Sequence, residues 1–166
     1  SYYPATGPLS RDKYAKHMMA LEATAHNRHV WMMAGNRTGK TEGFLLFAIT
    51  CAMTGEYPDW WKGRRWNRPV KVWLASTIGT KTRDILQFKL LGMPNARGEG
   101  IMPADNIVNT TAKSGIREAI DTFYIQHKSG GVSVGQFKSY DQGRTAFEGT
   151  EQDIIGLDEE PPMPVY

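Results

Sequence analysis

Cysteine is almost missing from this chain. Cys51 stands alone, so no internal disulfide can form, and a single thiol fits a reducing setting. No apolar run approaches the roughly 18 residues that a membrane-spanning helix needs. The opening Ser1-Tyr2-Tyr3-Pro4 lacks the basic-then-apolar layout of a secretory signal. His17, His26, His29 and His127 show no metal-ligand spacing, and no G-x-S-x-G marks a nucleophilic serine. Neither sign of charge dominates: 20 Lys and Arg against 17 Asp and Glu leave +3, compatible with a nucleic-acid partner without requiring one. Internal repeats and low-complexity tracts are also lacking. What is present is 166 residues, 40% hydrophobic and 22% charged, enough for one domain with a sizeable core.

Hydrophobic periodicity supplies the elements. Tyr14, Met18, Leu21 and Ala25 recur at helical spacing, so the stretch from about Ser10 to about His26 reads as a helix. Val30 to Ala34 is a short apolar run, expected to be a buried strand, and Gly35 to Gly39 a loop. From Lys40 to about Met53 the chain is apolar nearly all round (Phe44, Leu45, Leu46, Phe47, Ile49), which predicts a buried helix with Cys51 in the core. Gly55 to Pro69 is irregular and rich in Trp and Arg. Val70 to Ala75 reads as a second strand, Lys81 to Leu91 as a helix and Gly92 to Gly100 as a loop. Thr122 to His127 and Val132 to Phe137, divided by Lys128-Ser129-Gly130-Gly131, predict a hairpin. Asp153 to Leu157 is a final strand, with a turn expected at Pro161-Pro162-Met163-Pro164. Strands alternating with helices point to a mainly parallel α/β sheet. The abrupt end suggests a piece of a longer protein.

The central signal is Ala34-Gly35-Asn36-Arg37-Thr38-Gly39-Lys40-Thr41. It follows the phosphate-loop pattern G-x-x-x-x-G-K-[ST], with Ala34 in place of the first glycine. An apolar run precedes it and an apolar helix follows. Gly39 lets backbone come close to an anion, and successive amides with the helix N-terminus then face it. Lys40 reaches β- and γ-phosphates, and the Thr41 hydroxyl suits Mg²⁺. Arg37, inside the loop, is either a second cation beside a triphosphate or a solvated side chain on the loop crest. The second signal is Ile154-Ile155-Gly156-Leu157-Asp158-Glu159-Glu160, a buried strand ending in carboxylates. Asp158 is positioned to hold Mg²⁺ through water, and Glu159 to polarise an attacking water. Alternation along the strand lets the two divide these roles. Glycine weakens a strand interior, so Gly156 is expected to admit the phosphate-loop helix. Glu160 reads as a solvated or supporting acid.

A loop of the form G-N-R-x-G-K-T resembles that of the large subunits of tailed-phage terminases. Asp158-Glu159-Glu160-Pro161-Pro162, the stretch Phe137 to Arg144 followed by Phe147-Glu148-Gly149, and Tyr57 to Arg65 resemble the same family. The resemblance implies an ATPase motor domain over residues 1–166, with a P-loop NTPase three-layer fold, an extra strand between the nucleotide motifs, and a catalytic glutamate. It implies ATP and Mg²⁺ as cofactors, with Gly35, Asn36, Arg37, Thr38, Gly39, Lys40 and Thr41 on the nucleotide. Thr41 and Asp158 would hold the metal, and Glu159, Arg37 and Arg144 would act in catalysis. It also implies a homo-oligomeric ring on a portal protein, a small terminase subunit as partner, and double-stranded viral DNA driven into a procapsid in the host cytoplasm, with no membrane involved. A C-terminal nuclease domain is expected past Tyr166.

Other constellations stay open. Asp59 to Arg68 interleaves aromatics with cations, either to contact phosphates or a neighbouring subunit, or to cap the core with tryptophan. Arg144, a short loop before the acidic strand, is a ring-type arginine acting on an adjacent subunit's nucleotide or an ordinary loop residue. Ser76 and Thr77 end the second strand, where such sheets bind ligands. They sense nucleotide, touch DNA or form a plain turn. Tyr14 and His17 either stack on adenine or face the core, and His26-Asn27-Arg28-His29 reads as a solvated connection. Two rival functions remain: a helicase-like nucleic-acid-dependent ATPase, and a nucleotide-binding switch with negligible turnover.

Overall fold

The computed structural model describes residues 2–35 and 37–160; the expected Pro161–Pro164 turn lies outside them. A 3-10 turn, Arg11–Tyr14, leads into α1, Ala15–Ala23. Lys40–Leu46 is helical with π-type hydrogen bonding and runs straight into α2, Phe47–Thr54. The strand β1 is Lys71–Ser76. A third continuous helical stretch comprises α3, Gly79–Lys81, a π-type segment Thr82–Gln87, and α4, Phe88–Leu91. Then come β2, Ile107–Ala112; β3, Ile120–Gln126; β4, Val132–Ser139; and β5, Ile154–Leu157. Among the described residues, no helix is long and apolar enough to cross a membrane.

The five strands form one sheet in the order β2-β3-β4-β1-β5. β1 pairs in parallel with β4 and β5, whereas β2–β3 and β3–β4 are antiparallel. The sheet is therefore mixed and not mainly parallel as expected. The reason is local. Five residues, His127-Lys128-Ser129-Gly130-Gly131, join β3 to β4, and so short a connection can only reverse the chain. The expected strand at Val30–Ala34 is not present. That run is apolar but makes no ladder, and Trp31 (63% exposed) and Met33 (94%) face outward, so period and composition overstated it. β2 was not foreseen, because Ile107-Val108-Asn109-Thr110-Thr111-Ala112 is an edge strand with only its first and fourth residues half-buried.

Burial follows strand position. β1 is covered on both faces and reads as a continuous buried run from Val72 to Ser76. β4 alternates, with Ser133, Gly135, Phe137 and Ser139 buried. Leu46, Ile49 and Met53 pack with Leu86, Leu90 and Leu91 over Val72, Leu74, Phe123, Ile125 and Phe137. Both long helical stretches thus share one core on one side of the sheet. Among the described residues the opposite side carries the Arg144–Phe147 turn, whose Phe147 meets Trp73 edge-on at 5.8 Å, and no helical layer. A second cluster of Tyr3, Leu21, Phe47, Cys51 and Trp61 fastens α1 to the outer side of α2. The core-capping reading of the tryptophans holds: Trp61 is buried and Trp60 stacks on Phe47 at 5.9 Å. Cys51 is buried, which pushes its thiol up to about 12.

Candidate functional site

β1, β4 and β5 run the same way, so their C-terminal ends lie at one end of the sheet. The phosphate-loop residues sit at that end. The Thr41 hydroxyl donates to Asp158 Oδ1 at 2.7 Å, joining residues 117 apart in sequence. Gly156 gives this contact room. A Cβ there would lie 2.8 Å from both Leu45 Cδ1 and Leu74 Cδ2, so glycine lets the Lys40–Leu46 helix lie close to β5 without displacing those side-chain ends. The expectation for Gly156 is met.

The loop is shaped by two residues in the left-handed region, Arg37 (φ 60°) and Gly39 (φ 80°). Thr38 Oγ1 donates to the Gly35 carbonyl at 2.9 Å, and Lys40 Nζ donates to the Ala34 carbonyl at 2.5 Å, closing the loop on itself. Asn36 lies outside the described residues. Arg37, Thr38 and Gly39 are exposed, and Lys40, Thr41 and Asp158 are half-buried. Together with Glu42, Ile85, Lys89 and Glu159 they line a cavity of about 510 Å³. That is within the usual range for a small-molecule site. Three cations (Arg37, Lys40, Lys89) face three acids (Glu42, Asp158, Glu159) around it.

Glu159 is itself unusual. It has φ 67°, a conformation that costs a non-glycine residue roughly 1 kcal/mol or more. Its carbonyl is 3.0 Å from the Tyr140 hydroxyl, which also lies 3.2 Å from the Asp158 carbonyl. Tyr140 follows β4 in a short 3-10 turn closed by a Ser139–Gln142 capping box, so its ring is fixed. The backbone carrying both acids is therefore held from a neighbouring strand. Glu160 is exposed, as expected for a solvated acid.

Among the described residues, three of the four buried side-chain polar atoms without a hydrogen-bond partner lie around this end of the fold: Ser76 Oγ and Thr77 Oγ1 at the end of β1, and His17 Nε2. The His17 ring packs 3.6 Å from where a Cβ on Gly39 would sit. The N-terminal segment grips the same helix, since Tyr3 Oη donates to the Gly43 carbonyl and Tyr2 Oη to Glu42 Oε1, each at 2.8 Å. Burial pushes the Tyr3 phenol up to about 12, and the Tyr2 phenol higher still, with the Glu42 acceptor adding to it. Tyr14 packs edge-on to His17 at 5.4 Å and neither lines the cavity, so the core-facing reading fits Tyr14.

Not every expected residue converges. Arg144 is 70% exposed, pairs with Glu148 Oε1 at 3.1 Å and does not line the cavity. Ser76 and Thr77 adjoin the site without lining it. Sequence reading missed Lys89, Ile85, Glu42 and Tyr140. Tyr140 lay inside a stretch already singled out, and Lys89 carried no signal because it belongs to neither the glycine-rich loop nor the acidic strand end. Among the described residues no group of three or more His, Cys, Asp or Glu could enclose a metal ion.

Comparison with known proteins bears on this arrangement. Residues 31–166 match the family model described as terminase large subunit, T4-like-virus type, N-terminal. A curated relative, the terminase large subunit of Salmonella phage P22, is 26% identical over 174 residues. That match covers 92% of this chain and 34% of the relative, so the chain spans about a third of the relative's length. No solved structure matches significantly.

Proposed function

The chain belongs to the terminase large-subunit family, and on that premise we propose that it is an ATP-hydrolysing motor domain serving viral DNA packaging. The observation that carries the reading is the 2.7 Å hydrogen bond from Thr41 to Asp158. It joins the phosphate loop to the acidic strand end in the arrangement that Mg²⁺–nucleotide chemistry uses. The donor set suits Mg²⁺: one hydroxyl and one carboxylate, with no all-protein cage. Mg²⁺ typically takes few protein oxygens and fills its octahedron with water and substrate phosphates. When bound, the ion would neutralise charge on the phosphates.

The chain's own residues do the rest. Loop amides and Lys40 bind the phosphate chain, and Lys40 exchanges the Ala34 carbonyl for phosphate oxygen. Arg37 adds a cation over the loop. Asp158 and Thr41 hold the metal. Glu159, set beside Asp158 and held by Tyr140, orients the attacking water and takes its proton. Arg144, paired with Glu148 at the surface, is proposed to serve a neighbouring subunit's nucleotide in a ring. Double-stranded DNA, a portal and a small subunit are the proposed partners of the intact protein.

The test is phosphate release and nucleotide binding by Glu159→Gln and Asp158→Asn. Glu159→Gln is expected to bind ATP normally and hydrolyse it at least about 10²-fold more slowly, the usual scale of a general base. Asp158→Asn is expected to weaken Mg²⁺-dependent binding. Equal loss of affinity in both variants would refute the division of roles. Wild-type protein that binds ATP but shows no turnover with or without DNA would favour the nucleotide-switch alternative.

A further inference from the structure

We propose that Lys89, on α4 and outside both nucleotide motifs, is a phosphate-binding cation of this site, held by Glu42 until a polyphosphate takes it. The inference rests on the reading of the cavity as a nucleotide site.

Lys89 and Ile85 lie four residues apart on one helical stretch, and both line the cavity with the phosphate loop. Among the described residues the Lys89 amine has one ion-pair partner, Glu42 Oε2, at 3.8 Å. That distance is too long for a hydrogen bond, and the two side chains are 45% and 47% exposed. A loose, half-exposed pair contributes little and gives way readily to a better anion. A polyphosphate chain in the same cavity is such an anion, with several charges and many acceptor oxygens.

Glu42 can release Lys89 without being stranded, because its other oxygen already accepts the Tyr2 hydroxyl at 2.8 Å. The charge around the cavity argues the same way. Without Lys89, Arg37 and Lys40 would face Glu42, Asp158 and Glu159, leaving the side chains of the lining one negative charge in excess before any metal ion binds. With Lys89 the signs balance. The position matters as well. Arg37 comes from the loop and Lys40 from the first residue of the helix that continues into α2, whereas Lys89 comes from the helix after β1, so phosphate held by all three is gripped from two separate parts of the fold.

The experiment is displacement of a fluorescent ATP analogue from the chain, with Mg²⁺, by ATP and by inorganic tripolyphosphate. Lys89→Met keeps the aliphatic stem and removes the charge. It is expected to weaken both competitors by a similar factor, roughly 10- to 100-fold, the scale of one charge-assisted contact. Lys89→Arg is expected to recover most of the loss, and the thermal midpoint of Lys89→Met is expected to stay near wild type. Unchanged affinity in Lys89→Met would overturn the proposal. So would a loss for ATP without a loss for tripolyphosphate, which would mean contact with the nucleoside or a purely structural role. If Lys89→Met is unstable, Lys89→Gln read by the same two competitors decides. Wild-type protein that binds neither competitor would bring down the nucleotide-site reading itself. Wild-type binding with a normal Lys89→Met brings down only this inference.

Discussion

At the scale of single residues, Glu159 and His127 carry consequences that their side chains alone would not suggest. The left-handed backbone of Glu159 is held through its carbonyl by Tyr140, so Tyr140→Phe should let the acid relax. We expect turnover to fall by about tenfold or more, since small misplacements of a catalytic group are costly, with ATP affinity little changed. Steady-state phosphate release beside a binding titration checks this, and equal losses in both would mean a general folding defect. His127 is buried at the turn after β3, where its Nδ1 accepts the Ser129 amide at 3.1 Å. Burial lowers its pKa below the ordinary 6.5, so folding favours the neutral ring. The unfolded chain then takes up a proton at a higher pH than the folded one. Stability is fully present above about 6.5 and is lost as pH falls toward the lower folded value. The melting temperature should decline as pH drops from 7 toward 5, and His127→Gln should flatten that slope. A wild-type curve flat over this range would contradict the assignment.

At the scale of elements, the site depends on how close one helix comes to one strand. Gly156→Val would drive branched carbon into Leu45 and Leu74 and push the Lys40–Leu46 helix off β5. Overpacking of this kind typically costs about 1–3 kcal/mol. The same shift would break the Thr41–Asp158 contact, so urea denaturation and ATP affinity should both worsen. A variant that loses stability while binding ATP normally would show that the contact is not needed. On the far side of the same core, a Cβ on Gly135 would lie 2.1 Å from the Phe123 ring, which stacks on Phe137 at 4.7 Å. Gly135→Ala should therefore destabilise the fold without a specific effect on nucleotide. The elements best legible in the sequence were those with strong periodicity or a defining turn: the apolar helix after Lys40, the Thr122–Phe137 hairpin and the Asp153–Leu157 strand. Gly156 was legible too, because glycine inside a strand asks for a close neighbour. β2 was not, since an exposed edge strand buries too little to leave a pattern. Val30–Ala34 misled, because a short apolar run does not specify whether it finds a pairing partner.

At the scale of the whole molecule, the mixed sheet brings the glycine-rich loop and the acidic strand end to one end, and part of the cavity lining there was readable from the chain. Gly39, Lys40, Thr41, Asp158 and Glu159 were chosen by motif, and the fold gathers them around one cavity. Lys89, Glu42 and Tyr140 were not readable, because the contacts that matter span long sequence separations and follow no spacing rule. Arg144 sits at the surface and does not line the cavity, so the catalytic part proposed for it is one played between subunits. Mixing Arg144→Ala with Glu159→Gln subunits should restore part of the activity, since some interfaces then pair an intact arginine with an intact glutamate. Mixed assemblies with no recovery at any ratio would exclude that role. The account rests most heavily on a single Mg²⁺-dependent nucleotide site built by Lys40, Thr41 and Asp158. Calorimetric titration of ATP into the chain, with Mg²⁺ and with the metal chelated, tests it most directly. One ATP per chain is predicted, with affinity falling on chelation, weakened at least about tenfold in Asp158→Asn and most severely in Lys40→Ala, the scale of charged contacts. Wild-type protein that takes up no ATP, or Lys40→Ala protein that binds as tightly as wild type, would contradict it.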